Sequence, residues 1–262
     1  MMRWLAETVL GMPPRTSSTG AGVDDLMVYV HALMFVLFIG WLAYFCYAVW
    51  RFHQSRHPKA DHHGVKTHAS TYLEAAVALI EGILLIGIAI PVWSRTVEKF
   101  PKESESTVVQ VVAQQFQWNI RYPGKDGIFG KQDMKFVTSD NVFGVDPSDP
   151  NGKDDLQMPN EIHVPVNKPV IVYVSSKDVI HSFKIYGMRV DQDCIPGLRI
   201  PLWFKPSKTG TNQIYCAQLC GAGHASMSGG RLIVQTPEDY QKWLDSKYSP
   251  TAAPAVPATG IE

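Results

Sequence analysis

Twelve residues near the C-terminal end, CAQLCGAGHASM (216–227), hold two cysteines, a histidine and a methionine. Cys216, Cys220, His224 and Met227 follow a C-x3-C-x3-H-x2-M spacing. Thiolate and thioether are soft donors and imidazole is intermediate, a mixture that favours copper over magnesium or calcium. A structural zinc site more often takes four Cys or His ligands without Met. A blue-copper site takes one Cys, two His and a weak Met, so this loop carries one Cys too many for it. A second thiolate can bridge to a second metal. Each copper then needs its own nitrogen, and another His must come from elsewhere. His181, opening a strand in SSKDVIHSF, is the first candidate; His163, inside the alternating strand EIHVPV, is the alternative. The competing reading of the two cysteines is a disulfide, common outside the cytoplasm. Met227 taken alone reads as core filler.

The elements around this loop read as β-structure. TVVQVVAQ (107–114), EIHVPV (161–166), PVIVYVSS (169–176), HSFKIY (181–186), TNQIYC (211–216) and GGRLIVQ (229–235) are short, β-branched and bounded by turn residues, the pattern of a small sandwich or barrel. The Cys loop then joins two strands. Residues 123–160 are rich in Gly, Asp and Pro and read as a long surface insertion with one short strand at Met134–Thr138. Thr236 followed by Pro237, Glu238 and Asp239 signals a helix start, and the helix runs to about Lys247. The tail 249–262 is low-complexity and predicted to be disordered.

Ahead of this domain the chain is strongly apolar. Leu26–Trp50 contains no Asp, Glu, Lys or Arg, and Tyr72–Trp93 is apolar apart from Glu74 and Glu81. Each is long enough to cross a bilayer core of about 30 Å. The loop between them, 51–71, carries Arg51, Arg56, Lys59 and Lys66 against Asp61, which places it in the cytoplasm by the positive-inside rule. Two crossings leave the N-terminal segment (1–25) and everything after about Arg95 outside. No cleaved signal peptide is expected, the first span acting as its own anchor. The resulting organisation is a transmembrane hairpin (26–95), an external β-domain (104–248) and the tail.

Of 262 residues, 24 are basic and 24 acidic, a balance that argues against a nucleic-acid partner held by phosphate contacts. No CxxCH occurs, so no covalent haem is signalled. Cys46 and Cys194 read as buried apolar residues. His53, His57, His62, His63 and His68 read as a solvated linker rather than a metal tract.

Taken together, DVIHSF (178–183), DCIPG (193–197) and CAQLCGAGHASM (216–227) resemble subunit II of the haem–copper oxidases, the cytochrome c oxidases, as a divergent bacterial-type member. The likeness covers nearly the whole chain. It implies a membrane-anchored α plus all-β architecture, a two-helix hairpin followed by a cupredoxin-like sandwich or barrel with a binuclear copper centre, CuA. It further implies that Cys216 and Cys220 bridge two coppers, that His181 and Met227 complete one, and that His224 and the backbone carbonyl of Gln218 complete the other. The family usually has Glu where Gln218 stands, and that carboxylate also reaches magnesium. A neutral amide is a poorer ligand for a hard cation, so the usual magnesium contact is not expected.

AQQFQWNIRYPG (113–124) is similar to the family's aromatic stretch, with Phe116 at the position of the electron-accepting Trp and Trp118 at the second Trp. In the second span, Glu74 matches an acid at the mouth of a proton path, and Glu81, seven residues on, shares its helix face. Asp178 is a candidate for donor docking. The function implied is that of a non-catalytic, electron-accepting subunit in a proton-translocating oxidoreductase. It takes electrons from cytochrome c or an equivalent external donor and passes them to haem in subunit I. Other oxidase subunits and the lipid bilayer are its remaining partners, and a bacterial cytoplasmic membrane its place. The rival is a membrane-anchored copper-binding or copper-delivery protein without oxidase activity. Nitrous oxide reductase shares the copper motif but needs a large catalytic domain, and quinol oxidase relatives lack the copper ligands.

Overall fold

The computed structural model describes residues 1–59, 62–64 and 66–248. The tail 249–262 lies outside the described residues, as do Ala60, Asp61 and Val65 of the loop between the spans. The chain forms two units. One comprises Met1–Met12 and Gly22–Arg95; the other comprises Pro13–Ala21 and the chain from Thr96 onward.

In the first unit, one helix runs Ala21–Arg51 and a second runs Ala69–Val97. Both extend beyond the apolar cores seen in the sequence, because the flanking residues continue the backbone ladder past the hydrocarbon-length segment. The second helix changes register at Ile83–Ala89, a π-helical stretch. Pro91 explains it: proline offers no N–H and its ring crowds the carbonyl four residues back, at Gly87, so the ladder widens there. In the most apolar windows of the two helices only 6% and 0% of residues are buried. Phe35, Phe38, Trp41, Phe45, Leu79 and Ile86 are exposed. Glu74 and Glu81 both lie in the regular first part, Ala69–Gly82.

The second unit is a sandwich of two five-stranded sheets. Its strands are β1 (Thr107–Gln114), β2 (Gln117–Tyr122), β3 (Leu156–Pro159), β4 (Glu161–Pro165), β5 (Val170–Ser176), β6 (His181–Ile185), β7 (Val190–Cys194), β8 (Ile200–Phe204), β9 (Gly210–Cys216) and β10 (Gly230–Gln235). One sheet has the order β3-β2-β1-β5-β8 and the other β4-β10-β9-β6-β7. β1 pairs parallel with β5, and β10 parallel with β4. Alternation on each strand fills the space between the sheets: Val109, Val111 and Ala113 on β1, Trp118, Ile120 and Tyr122 on β2, Val170, Val172 and Val174 on β5, Phe183 and Ile185 on β6. The C-terminal helix, Pro237–Tyr248, lays Trp243 against Tyr122 and stacks it on His163 at 4.1 Å.

The insertion is ordered around a buried charge. Arg121 on β2 pairs with Asp155, both side chains being fully buried. Arg121 also donates from Nη1 to Gln110 Oε1 (3.1 Å) and from Nη2 to the Gly130 carbonyl (2.9 Å). Gly130 N donates to Asp155 Oδ2 at 3.1 Å. Met134–Thr138, expected as a strand, is instead a 3-10 turn at Met134–Phe136. It is capped by Asp133, which accepts from Lys135 N. The local side-chain–backbone bond wins there because no neighbouring strand is available to pair with the segment.

Residues 13–20 form an extended strap on the β-domain. Thr16 N donates to Gly187 O (2.8 Å), Ser207 N to Thr16 O (2.8 Å) and Ser18 N to Lys205 O (3.0 Å). Ser17 is 2% exposed and its Oγ donates to Met188 O at 2.9 Å while accepting from Gly20 N at 3.1 Å. Ser17→Ala removes the hydroxyl without adding bulk and orphans both partners. A loss of about 1–2 kcal/mol follows, and the midpoint of thermal unfolding of the β-domain falls by about 2–6 °C. Calorimetry of the full chain checks this; an unchanged midpoint would show that the strap contributes nothing.

Candidate metal centre

Three loops meet at one end of the sandwich. β9 ends at Cys216, and the loop that follows returns to β10 through a 3-10 turn, His224–Gly229. The turn between β5 and β6 delivers Asp178 and then His181. The β1–β2 turn, Gln115–Phe116, lies across both. Cys216 is held in the sheet, opposite Phe183, and Ala217 N donates to Ser182 O at 3.0 Å. Gly221, at φ +136, and Gly223 let the loop pass beneath Phe116, where a Cβ on Gly223 would stand 2.3 Å from the ring.

The donors converge. Ligand atoms of His181, Cys216 and Cys220 all lie within 4.8 Å of one another, and all three residues are buried. The Cys216 and Cys220 sulfurs are 3.9 Å apart and both cysteines are unpaired. His181 Nδ1 is 3.9 Å from Cys216 Sγ, His224 Nδ1 is 3.5 Å from Cys220 Sγ, and Met227 Sδ is 3.5 Å from Cys220 Sγ. Cys216 Sγ donates to the Gln218 carbonyl at 3.0 Å. Donors around a tetrahedral metal with bonds of about 2.3 Å stand roughly 3.7 Å from one another, so the spacing fits a thiolate-held soft metal. The six donors exceed what one tetrahedral ion takes.

The surroundings fix the imidazole. His181 Nε2 bonds Asp178 Oδ1 at 2.8 Å, which leaves Nδ1, on the cysteine side, as the free donor. Asp178 Oδ2 accepts from Gln115 N at 2.7 Å and Oδ1 from Val179 N at 2.7 Å. Burial alone would push the Asp178 carboxyl up; the bonds from Gln115 N and His181 outweigh it and hold it below the usual carboxylate range. Burial, then the neighbouring Cys216 sulfur, push the Cys220 thiol up to about 11. A metal binding there must therefore displace protons.

Other sequence candidates fall elsewhere. His163 is stacked on Trp243 and bonded to Gln235 Oε1 at 3.0 Å, away from the cysteines. Trp118 is fully buried, its Nε1 donating to Met227 O at 2.9 Å and its ring edge-on to His181 at 6.4 Å; it touches no surface. Phe116 is half-buried over the loop. Asp178, considered for donor docking, spends its oxygens on the scaffold of the site. Cys194 is buried opposite His181 in the β6–β7 register, and Cys46 is exposed on the first helix. Gln115 was not singled out from the sequence. A polar turn residue carries no periodic signal, and its partners lie 63 and 105 positions away. Around the site Val179, Ile180 and Leu219 are 39%, 46% and 78% exposed.

Comparison with known proteins agrees with this architecture. Residues 107–235 match the family described as cytochrome c oxidase subunit II, periplasmic domain. An alternative cytochrome c oxidase subunit 2 from Bradyrhizobium diazoefficiens is 31% identical over 227 residues, covering 86% of this chain and 80% of that one. Cytochrome c oxidase subunit 2 from Cereibacter sphaeroides is 29% identical over 268 residues, covering 95% and 85%. The crystal structure of the periplasmic domain of cytochrome oxidase subunit II from Bradyrhizobium japonicum is 30% identical. It covers 56% of this chain and 95% of that one, with a TM-score of 0.41. The two apolar helices, the β-sandwich and the relative that matches most of its length show that the chain belongs to the cytochrome c oxidase subunit II family.

Proposed function

We propose that this chain is the electron-accepting subunit of a respiratory haem–copper oxygen reductase, with a binuclear CuA centre held by His181, Cys216, Gln218, Cys220, His224 and Met227. The observation that carries the reading is the convergence of two thiols, two imidazoles, a thioether and a carbonyl at one end of a rigid sandwich. When bound, a thiolate-bridged copper pair supplies a one-electron relay. The chain's own residues set its conditions. Asp178 orients His181, Trp118 holds the Met227 carbonyl, and the buried sulfurs keep water away from the donors. Because β6 and β9 hold His181 and Cys216, and the turn leading into β10 holds His224 and Met227, before any metal arrives, little rearrangement accompanies a change of charge.

The electron-accepting surface we assign to Phe116, half exposed over the loop, with Trp118 buried behind it. The exposed Val179, Ile180 and Leu219 give this end an apolar face suited to a protein partner. Cytochrome c or an equivalent carrier is the donor, and the haem-bearing subunit I the acceptor. Gln218 offers its carbonyl, and its neutral amide makes no usual magnesium ligand. Pro13–Ala21 and the chain from Thr96 fold as one unit. That supports the reading in which the segments before and after the helical pair share one side of the bilayer, as two crossings require. With the basic loop inside, the N-terminus and the copper domain face the exterior of a bacterial cytoplasmic membrane.

The deciding experiment loads the purified full chain with copper and records visible and electron paramagnetic resonance spectra with the metal ratio. Two coppers per chain and one unpaired electron shared between them are expected. A single-copper spectrum would overturn the binuclear assignment. A Cys216–Cys220 disulfide that persists under reducing conditions would overturn metal binding altogether.

Glu74 and Glu81, on one helix face, we assign to the proton path of the complex, since an acid facing hydrocarbon without a role is costly. Glu74→Ala and Glu81→Ala in the assembled oxidase are expected to lower proton translocation while the copper spectrum stays as in the wild type. Unchanged turnover and translocation in both variants would remove these residues from the path.

A further inference from the structure

Gln115 touches both halves of the metal centre through two different groups. Its backbone N donates to Asp178 Oδ2 at 2.7 Å, and Asp178 in turn holds His181. Its side-chain Nε2 donates to the carbonyl of Cys220 at 2.6 Å. The β1–β2 turn thus indexes the Cys loop against the strand that carries the histidine. The two cysteines are not equally free. Cys216 is locked into β9 by its pairing with Phe183 and by Ala217 N, whereas Cys220 lies on the loop. The sulfurs stand 3.9 Å apart, and a disulfide needs about 2.05 Å. Cys220 is the half of the pair not held in a strand, and its carbonyl is what Gln115 holds.

We infer that Gln115 is a positioning residue that clamps the Cys loop in its open dithiol geometry, opposing disulfide closure and keeping both sulfurs available to metal. The closure reaction with glutathione disulfide as oxidant is a two-electron exchange. Two protein S–H bonds are lost and one protein S–S bond forms. The glutathione S–S bond breaks, and the two protons and two electrons end on two glutathione thiols. Removing the Gln115 donor takes away a bond that exists in the dithiol and is strained or lost in the disulfide. Closure then becomes more favourable. Gln115→Glu is the sharper variant, because it keeps the size of the side chain beside Gly221 but replaces the donor with an acceptor aimed at a carbonyl.

The test uses the full chain, copper-free, in lipid nanodiscs equilibrated with glutathione redox buffers. The Cys216–Cys220 disulfide is quantified by alkylation and peptide mass, which separates it from Cys46 and Cys194. Gln115→Ala and Gln115→Glu are both expected to raise the closure constant about fourfold, the size of one partly exposed hydrogen bond. That corresponds to a midpoint about 18 mV more negative for a two-electron couple. A closure constant within about 1.5-fold of wild type in either variant overturns the inference. So does a Glu variant that behaves as wild type while Ala does not, since packing would then be the cause. The consequence for metal rests on the binuclear reading: the loaded variants should release copper to a chelator about fourfold faster. The thiol equilibrium does not rest on it. A chain that took up no copper would end the binuclear reading and leave the clamp to be decided by the closure constant.

Discussion

If the proposed binuclear centre is right, Cys216→Ser and Cys220→Ser are each expected to abolish the shared-electron copper spectrum and to lower turnover of the assembled oxidase by more than roughly 100-fold. The size of the effect follows from the geometry. The two sulfurs lie 3.9 Å apart, with His181 beside one and His224 and Met227 beside the other. In the binuclear reading each thiolate serves both metals, so one substitution removes a donor from two ions at once. A serine hydroxyl is hard and stays protonated, which suits neither. Met227→Leu offers a graded contrast. It deletes one weak thioether donor next to Cys220 and keeps the buried volume, so metal stays bound and the spectrum shifts. Spectra of copper-loaded variants, with turnover of the assembled oxidase, check both. A serine variant that kept the shared-electron spectrum would mean that the thiolates do not bridge.

The second large effect is structural. Arg121→Ala or Asp155→Ala destabilises the β-domain by about 3–5 kcal/mol, because the surviving charge is left buried without its partner. For a domain of this size that lowers the thermal midpoint by about 10 °C. Arg121 and Asp155 are fully buried, and the same cluster binds Gln110 and both backbone groups of Gly130. Exchanging both residues together, Arg121→Met with Asp155→Leu, should recover most of the loss, since an apolar pair carries no desolvation cost. Calorimetry of the three variants reads this directly. Single variants within about 1 kcal/mol of wild type would show that water reaches the pair and that the insertion is held by other contacts.

This ion pair also explains what the sequence left illegible. β1 and β5 are β-branched runs bounded by turn residues and were readable. β2 (QWNIRY) carries Arg121 on the face turned away from the core, and the arginine is buried there because the insertion brings Asp155 and Gly130 back to cover it. β8 (IPLWF) contains Pro201, tolerated because β8 is an edge strand. β7 (VDQDC) alternates, but with acids on its outer face and at another edge. The proposed metal donors were legible for the opposite reason. Five of the six sit within twelve residues, four of them through side chains whose types soft-donor chemistry constrains whatever the fold. His181 could be named as a candidate, yet Asp178's hold on it depends on a turn 63 positions earlier, Gln115. Trp118 matched the second Trp of the family's aromatic stretch, behind Phe116; its full burial follows from alternation on β2, which places 118, 120 and 122 inward.

The strap at residues 13–20 makes contacts across very long sequence separations: 196 positions for Thr16–Asn212, 187 for Ser18–Lys205 and 171 for Ser17–Met188. It leaves the ribosome ahead of both spans, and its partners emerge about 10–40 s later at ordinary rates of synthesis. Both spans must be inserted in that interval. The strap is therefore among the last pieces of the domain to dock, and its hydrogen bonds close a loop of chain that contains the whole helical pair. A pair inserted with only one crossing completed, or with its ends on opposite faces of the bilayer, cannot close that loop. The backbone groups of Lys205 and Ser207 would then stay bare for proteases and chaperones to find. Ser17 in its pocket is in this sense a record of correct membrane insertion, written into the chain's own folding.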